Sequence, residues 1–280
     1  MSSSAAAPDL DEVLALARAQ FEAHGGLPQL TDPEFLRRRW SDVAFGLRDA
    51  GGALVSAAVV RSGSSVGSGS TVFWLTGAPP GEAAGHVLDL ALTGVGAAEV
   101  TVECESVVPA VDEMLASRGL RQVFAEDVLT ADLTAEVPEP RWPDGTVLLE
   151  WDDDSARRFF AVYDASFRER PGFPGWSAEE WIEGMADDDA RPSASLLACV
   201  PGIGDAGFVT AAAGWIDQVG VVPPARGRGL AGALVSESLR RLRAGGDRTA
   251  WLTVNVDNDA RRVWERIGFT GRGRRGRYRF

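Results

Sequence analysis

The feature that most constrains the fold is a run in which a buried strand, a glycine- and arginine-rich loop and a helix follow one another. The apolar strand ends at Pro223, the loop occupies residues 226–229, and apolar residues recur at helical spacing from Leu230 onwards. Glycines let consecutive backbone N–H groups converge on one point, and the first turn of a helix adds about half a positive charge. The run therefore predicts an anion-binding cradle at the end of a strand in an α/β fold.

Two classes of ligand use such a cradle. The spacing of Gly227, Gly229 and Gly232 also satisfies the dinucleotide-binding fingerprint, with Asp257 after the next strand as a ribose-binding acid. Three observations argue against that class. Only 23 residues follow Asp257, too few for the remaining strands of a doubly wound sheet. The residues 223–226 separate the strand from the first glycine, and two arginines suit a phosphate-rich ligand better than NAD.

The same run resembles the acetyl-CoA loop of the GNAT superfamily. Residues 226–231 fit the pattern Q/R-x-x-G-x-G/A, which binds the pyrophosphate of acetyl-CoA in that family, and the preceding strand fits the one that pairs with the pantetheine arm. Downstream, Asn258 and Ala260, followed by Trp264 and the Gly-Phe pair at 268–269, resemble the second motif of the family. Both motifs occur in the family's order and separation, within a resemblance that covers residues 144–280.

The resemblance implies an acyltransferase that uses acetyl-CoA as its co-substrate. The residues that it places against acetyl-CoA are Val219, Gly220, Val221, Arg226, Gly227, Arg228, Gly229, Leu230, Ala231, Asn258 and Trp264. For Asn258, a helix N-cap is the structural alternative. For Trp264, the alternative is core packing, because it shares one helical face with other apolar residues.

An amine acceptor needs a base, because only the neutral amine attacks a thioester. The chain has no lysine, and its histidines, His24 and His86, both lie in the N-terminal half. Asp217 interrupts an otherwise apolar strand, where a buried carboxylate is costly without a role or a partner. We expect Asp217 to be the catalytic residue that takes the proton; a hydrogen-bonded structural aspartate is the alternative.

The sequence departs from the family at Trp264, where the resemblance leads us to expect the tyrosine that protonates the departing thiolate. An indole N–H is a donor that is not usefully acidic. Tyr163, Tyr278 and Cys199 are the other side chains that could supply this proton. A Ser/Thr hydroxyl, a water relay, unassisted departure of the thiolate, or a domain without catalytic activity stay open.

A proline-rich stretch at 136–145 divides the chain nearly in half, and the two halves repeat much of the same order of elements. This order predicts two tandem GNAT-like domains, each a mixed twisted sheet flanked by helices, in an α/β (α+β) fold. It resembles tandem GNAT proteins of the mycothiol synthase type. We expect 1–135 to be a degenerate copy without a CoA site, since 76–82 has no arginine and two prolines, and 146–280 to bind acetyl-CoA.

Three further segments carry local predictions. The glycine/serine run at 62–70 predicts a hairpin tip, two short strands end the first half at Leu133, and a strand at 277–280 ends the second half. The arginine-rich tail that begins at Gly271 is either a solvated strand or an anion contact. The aromatic residues Phe173, Trp176 and Trp181 either line the acceptor side or form a satellite hydrophobic cluster.

Composition restricts partners and location. The 280 residues carry a net charge of −12, which disfavours nucleic acid and tolerates cationic small molecules. No apolar stretch approaches the length of a membrane span, and the start does not read as a signal peptide, so we expect a cytoplasmic protein without membrane contact. Cys104 and Cys199 lie far apart, so we expect no metal. A homodimer stays open.

We therefore expect an N-acyltransferase that moves an acetyl group from acetyl-CoA to the amine of a small molecule, by direct attack in a ternary complex. The alternative is a non-catalytic module that binds acyl-CoA as a sensor or serves as an interaction domain. Acyl transfer to oxygen is a third, weaker alternative. The fold hosts many acceptors, so the sequence does not identify this one.

Overall fold

The computed structural model describes residues 7–41, 43–62, 69–95, 100–170, 172–186 and 188–280. The chain forms two compact units. One contains the chain up to Val128 with Asn255–Asp257 and Gly271–Phe280, and the other contains Leu129–Val254 with Asn258–Thr270. Each unit is a mixed sheet with helices packed on it, which confirms the predicted fold class. The predicted hairpin tip at 62–70 lies mostly outside the described residues.

The first unit holds a sheet whose strands are ordered β1-β2-β3-β4-β11-β5. Its strands β1 and β2 are antiparallel, whereas β3 and β4 are parallel. Its elements are α1 (Leu10–His24), α2 (Pro33–Arg39), β1 (Ala44–Arg48), β2 (Leu54–Ser62), β3 (Ser70–Thr76), α3 (Glu82–Thr93), β4 (Val100–Cys104), α4 (Pro109–Ala116), the first part of β5 (Arg121–Asp132) and nearly all of β11 (Thr270–Arg279).

The second unit holds the strands ordered β5-β10-β9-β8-β7-β6, and β5 contributes its last residues here. Strands β6 to β9 are antiparallel neighbours. The elements are β6 (Val147–Glu150), α5 (Ala156–Phe167), α6 (Ala178–Met185), β7 (Leu196–Val200), β8 (Gly204–Ala212), β9 (Trp215–Val221), α7 (Leu230–Ala244), β10 (Thr249–Asn255) and α8 (Arg261–Arg266).

Local sequence signals explain where several elements begin and end. Ser177 and Glu180 form a capping box at the start of α6: the Ser177 hydroxyl accepts from the Glu180 N–H, and the Glu180 carboxylate accepts from the Ser177 N–H. Gly214 takes a φ of 63° in the turn between β8 and β9. That conformation favours glycine. The turn therefore interrupts what the sequence predicted as a strand continuing through Trp215.

The C-terminal strand is longer than predicted, because its arginines are paired rather than solvated. Instead of 277–280, β11 spans Thr270–Arg279. Within the first unit, Arg275 contacts Glu126 at 2.6 Å, while Arg277 lies 3.3 Å from Glu103 and 2.7 Å from Glu105. A strand so rich in arginine is stable here because its neighbouring segments supply carboxylates. The alternation of glycine and arginine hid this strand from pattern analysis.

One of these carboxylates is fully desolvated. The side chain of Glu105 is 0% exposed, and its two arginine neighbours are Arg277 at 2.7 Å and Arg275 at 3.7 Å. Burial lowers the pKa of Arg277, but Glu105 and Glu103 oppose this effect and the net pKa is raised. The predicted pair of short strands before Leu133 is in fact the single strand β5, which carries Glu126 toward this cluster.

We predict that Arg277→Met destabilises the protein by about 3 kcal/mol, because it removes the closer partner of a buried carboxylate. Urea unfolding followed by circular dichroism measures this loss. Arg279→Met is the matched control: it lies on the same strand, is exposed, and donates only to the Thr101 hydroxyl. The control should stay within about 0.5 kcal/mol of the wild type. Equal unfolding curves for the two variants would contradict the prediction.

Candidate active site

The strand β9 carries a bulge at Asp217. Gln218 lies opposite Thr210 of β8, and Ile216 lies opposite the next residue, Ala211, so Asp217 is the extra residue between them. A bulge turns a side chain out of the regular alternation of a strand. The Asp217 side chain is exposed on the strand rather than buried in the sheet. The expected cost of a buried carboxylate is therefore avoided by the bulge.

Beyond this bulge, one edge of β9 is open. The strands β9 and β10 are parallel, and their pairing in the described chain is confined to Trp215 with Trp251. A further hydrogen bond, from the Trp251 N–H to the Gly214 carbonyl, lies at the same end. The two strands then separate, so the second half of β9 pairs with β8 alone. Its remaining backbone donors and acceptors are available to an extended ligand.

The opposite wall of β9 is a helix that touches the strand directly. A Cβ atom on Gly220 would lie 2.6 Å from a ring carbon of Phe208 and 2.9 Å from the Cβ of Ser166 on α5. Glycine at this position therefore allows α5 to lie against the strand. Val219 and Val221, on either side, are half-buried and pack on the core of the unit.

The predicted cradle follows β9 as expected. A short 3-10 turn at Pro223–Ala225 leads to Gly227 and Gly229, which take φ values of 76° and 81°. A Cβ atom on either glycine would meet nothing within 4 Å, so the space above both is open. Gly229 is the N-cap residue of α7, a helix of 15 residues. The open space therefore lies at the positive end of a long helix.

The two predicted arginines have different surroundings. Arg226 donates from Nε to the Val221 carbonyl at 3.1 Å and from Nη2 to the Ser166 carbonyl at 3.0 Å. It thereby ties the cradle to the end of α5. Arg228 is exposed and makes no hydrogen bond or ion pair with any residue that the structure describes. Arg226 is thus a positioning group, whereas Arg228 is free to meet an anion.

The structure adds a third arginine that sequence reasoning missed. Arg170, just beyond α5, lies with its guanidinium 4.4 Å from the centre of the Phe167 ring. Burial lowers the pKa of Arg170, and the positive charge of Arg226 lowers it further, which shows that the two guanidinium groups are near each other. The loop after α5 contains no motif, so only the fold reveals that Arg170 approaches the cradle.

The second predicted motif packs behind the cradle. Leu230 and Trp264 belong to one hydrophobic core, and Trp264 is only 4% exposed. Ala231 packs on the same core from its edge. A Cβ atom on Gly232 of α7 would lie 3.3 Å from Val263 of α8, so the two helices are close. The Asn258 carboxamide accepts from the Ala260 N–H at 3.0 Å, which stabilises the turn before α8.

The three candidate acids differ in their availability. Tyr278 is buried in the core of the first unit, where its hydroxyl donates to Asp112 and accepts from Gln122. The Cys199 thiol donates to Asp205 at 2.9 Å, and burial is the main cause of its raised pKa. The Tyr163 hydroxyl has no hydrogen-bond partner within the described chain, and burial raises its pKa.

Tyr163 is the centre of an aromatic cluster in the second unit. Its ring stacks on Trp181 with centroids 4.9 Å apart and contacts Phe173 at 5.6 Å and Trp176 at 6.4 Å. Trp181 is fully buried, and its indole N–H donates to the Gln218 side chain at 3.1 Å. Trp176 is 47% exposed. Of the three aromatic residues predicted for the acceptor side, Trp181 is a core residue and Trp176 faces solvent.

The corresponding place in the first unit is filled by its own side chain. The Gln20 carboxamide of α1 donates to the Thr76 hydroxyl at 3.3 Å and accepts from the Thr76 N–H at 3.4 Å. It also donates to the Ser106 carbonyl at 3.5 Å. Gln20 therefore joins the end of β3 to the segment after β4. The segment at 76–82 stays, by prediction, without a CoA site.

Two searches of the described residues concern metals and membranes. Among the residues that the structure describes, no group of three or more His, Cys, Asp or Glu side chains could hold a metal ion. In the same part of the chain, no helix has the length and apolar character needed to cross a membrane.

Comparisons with known proteins agree with this geometry. Residues 129–269 match the model of the acetyltransferase (GNAT) family. A mycothiol acetyltransferase from Thermobispora bispora is 28% identical over 279 residues, covering 94% of this chain and 92% of its own length. A GCN5-related N-acetyltransferase from Sphaerobacter thermophilus covers 99% of this chain and 95% of its own, with 24% identity and a TM-score of 0.76. A tandem GNAT protein from the clavulanic acid pathway covers 97% of this chain and 94% of its own, with 16% identity and a TM-score of 0.60.

We predict that Gly220→Ala destabilises the protein by about 1–3 kcal/mol, because the new methyl group forces α5 away from β9. Chemical denaturation measures the change in the free energy of unfolding. Gly232→Ala is the control, because its methyl group meets only the flexible tip of Val263 and alanine favours a helix. The control should be neutral or stabilising by up to about 1 kcal/mol. A Gly220→Ala variant as stable as the control would contradict the close packing of α5 on β9.

Proposed function

Because this chain belongs to the GNAT family and is therefore an acetyltransferase, we propose that it transfers the acetyl group of acetyl-CoA to the amine of a small molecule. The transfer is direct, within a ternary complex. The observation that carries this proposal is the combination of an open edge on β9 with the cradle of Gly227 and Gly229 at the start of α7. The two features lie in succession along one strand and the loop that follows it.

The residues present fit acetyl-CoA. Acetyl-CoA supplies the activated acetyl group as a thioester. The unpaired backbone of residues 219–221 offers peptide groups to the amide-bearing pantetheine arm. The cradle offers N–H groups and the positive end of α7 to the diphosphate. Arg228 contributes an unpaired charge, whereas Arg226 holds the loop on the Ser166 carbonyl. Arg170 adds positive charge nearby.

The reaction requires two proton movements. One N–C bond forms at the amine and the C–S bond of the thioester breaks, so nitrogen loses a proton and sulfur gains one. Asp217 is the proposed base, because the bulge directs its carboxylate out of β9 close to the open edge. Tyr163 is the proposed acid, because its hydroxyl is unpartnered in the described residues while Tyr278 and Cys199 already donate to carboxylates.

The acceptor is proposed to be a small molecule on two grounds. The relative from Thermobispora bispora is named for mycothiol, and it covers almost the whole of both chains. The net charge of −12 favours a cationic acceptor through long-range attraction. The exposed ring of Trp176 lies on the same aromatic cluster as Tyr163, where it could contact the rest of such a molecule.

We predict that the wild type binds acetyl-CoA and that the Arg226→Ala/Arg228→Ala double variant binds it at least about 10-fold more weakly. The reason is that charge-assisted hydrogen bonds contribute about 1.5–3 kcal/mol each. Isothermal titration calorimetry measures both affinities. Arg243→Ala/Arg248→Ala is the control, because it removes the same charge from beyond the other end of α7.

The outcomes of this titration separate the proposal from its alternative. Loss of affinity in the cradle variant, with the control unchanged, would support the acetyl-CoA site. Equal loss in both variants would indicate a general charge effect and contradict the cradle. If acetyl-CoA binds tightly but no amine in a broad library releases CoA thiol, the non-catalytic acyl-CoA sensor becomes the better description.

We predict that Asp217→Asn lowers kcat by about 100-fold or more near neutral pH, because carboxamide cannot take the ammonium proton. The rate of this variant should recover as pH rises, since the neutral fraction of the amine in solution increases. The Michaelis constant for acetyl-CoA should stay unchanged. Asp153→Asn, an exposed carboxylate before α5, is the matched control. A pH profile of Asp217→Asn parallel to that of the wild type would remove Asp217 from the role of base.

The same assay tests the proposed acid. Tyr163→Phe keeps the ring and its stacking on Trp181 but removes the hydroxyl, so we predict a kcat lower by about 10-fold or more. Trp264→Phe should leave kcat within about 3-fold, because an indole does not protonate a thiolate. If Trp264→Phe is the more damaging of the two, the proton does not come from Tyr163.

A further inference from the structure

Beside the bulge of β9, the second unit contains a small cavity that the proposed acetyl-CoA site does not use. Its volume is about 20 Å³. A single water needs about 10–15 Å³, so the cavity has room for one water or one group of similar size, such as an ammonium. The cavity is lined by Trp151, Met185, Ala190, Pro192, Ser195, Thr210, Ala211 and Asp217.

The polar walls of this cavity are unequal. Thr210 is only 3% exposed, and its hydroxyl has no hydrogen-bond partner among the described residues. Ser195 is already satisfied: its hydroxyl donates to the Arg191 carbonyl and accepts from the Ala211 N–H, each at 3.0 Å. The cavity thus presents one unsatisfied hydroxyl, on Thr210, and one carboxylate, on Asp217. Its other side chains are mainly apolar.

An unsatisfied buried hydroxyl costs about 1–3 kcal/mol unless a ligand or water completes it. A hydroxyl oxygen that accepts an N–H, a carboxylate and an aromatic wall from Trp151 together match a small cation. The bulge brings the two polar groups together, because Thr210 lies opposite Gln218, the residue that follows Asp217. An uncharged group of the same size would leave the carboxylate without compensation.

We propose that this cavity is the subsite for the nitrogen of the acceptor, and that it selects a primary ammonium on a slender, unbranched carbon. The inference rests on the proposed amine acetyltransferase activity and names its substrate class. Thr210 accepts one N–H of the ammonium, and Asp217 balances its charge before it takes the proton. Secondary and tertiary amines are too large for the cavity.

The test uses the full chain and methylammonium chloride as the probe. Backbone amide shifts of ¹⁵N-labelled protein are followed by NMR during a titration, with tetramethylammonium chloride as the size control. Methylammonium should saturate shifts at Thr210, Ala211 and Gln218, and tetramethylammonium should not. Thr210→Val keeps the shape of the side chain and should weaken methylammonium binding about 10-fold or more, whereas Thr210→Ser should restore it.

Two results would overturn the inference: binding of methylammonium that Thr210→Val leaves unchanged, or equal binding of tetramethylammonium. Absence of methylammonium binding would overturn it too, and would assign the cavity to a fixed water. The proposed activity fails separately, if no amine releases CoA thiol from acetyl-CoA. Turnover of a primary amine whose Michaelis constant is the same in Thr210→Val would keep the activity and reject the subsite.

Discussion

The second unit depends on a strand that has a neighbour on only one side. Buried backbone donors and acceptors must be paired, and a sheet normally pairs both edges of an inner strand. Here β9 pairs with β8 along its length but meets β10 only at Trp215 and Trp251. The separation leaves peptide groups in the middle of the sheet that protein does not satisfy. A ligand that carries amide groups can complete them, as a peptide does when it adds to a sheet edge.

The surroundings of this strand hold its open edge in position. Gly220 lets Ser166 of α5 approach from one side, and Arg226 binds the Ser166 carbonyl from the loop that follows. Strand, helix and loop are therefore joined at one residue of α5. The consequence for the cradle is that the backbone of the loop is fixed before any anion arrives, which reduces the entropy lost on binding. Arg228, which makes no such contacts in the described chain, can adapt to the ligand.

Pattern analysis could predict the strand, the loop and the helix of this site, because each has a local signal. Positive φ at Gly227 and Gly229 follows from the need for glycine in a tight anion loop. The bulge at Asp217 could not be predicted, since it depends on the register between β8 and β9 and not on residue type. Arg170 and the unsatisfied hydroxyl of Thr210 were hidden for the same reason. Their importance comes from residues that are distant in sequence.

The arginine-rich tail illustrates the same limit on the scale of the fold. Alternating glycine and arginine predict neither a strand nor a partner, but β11 places its arginines beside carboxylates from β4 and β5 and from Glu105. Charges that look like an anion site in the sequence are therefore already neutralised in the first unit. In the second unit the opposite holds, because Arg228 has no carboxylate among its described neighbours. The number of arginines does not decide which segment can bind a phosphate; the carboxylates brought to each segment by the fold do.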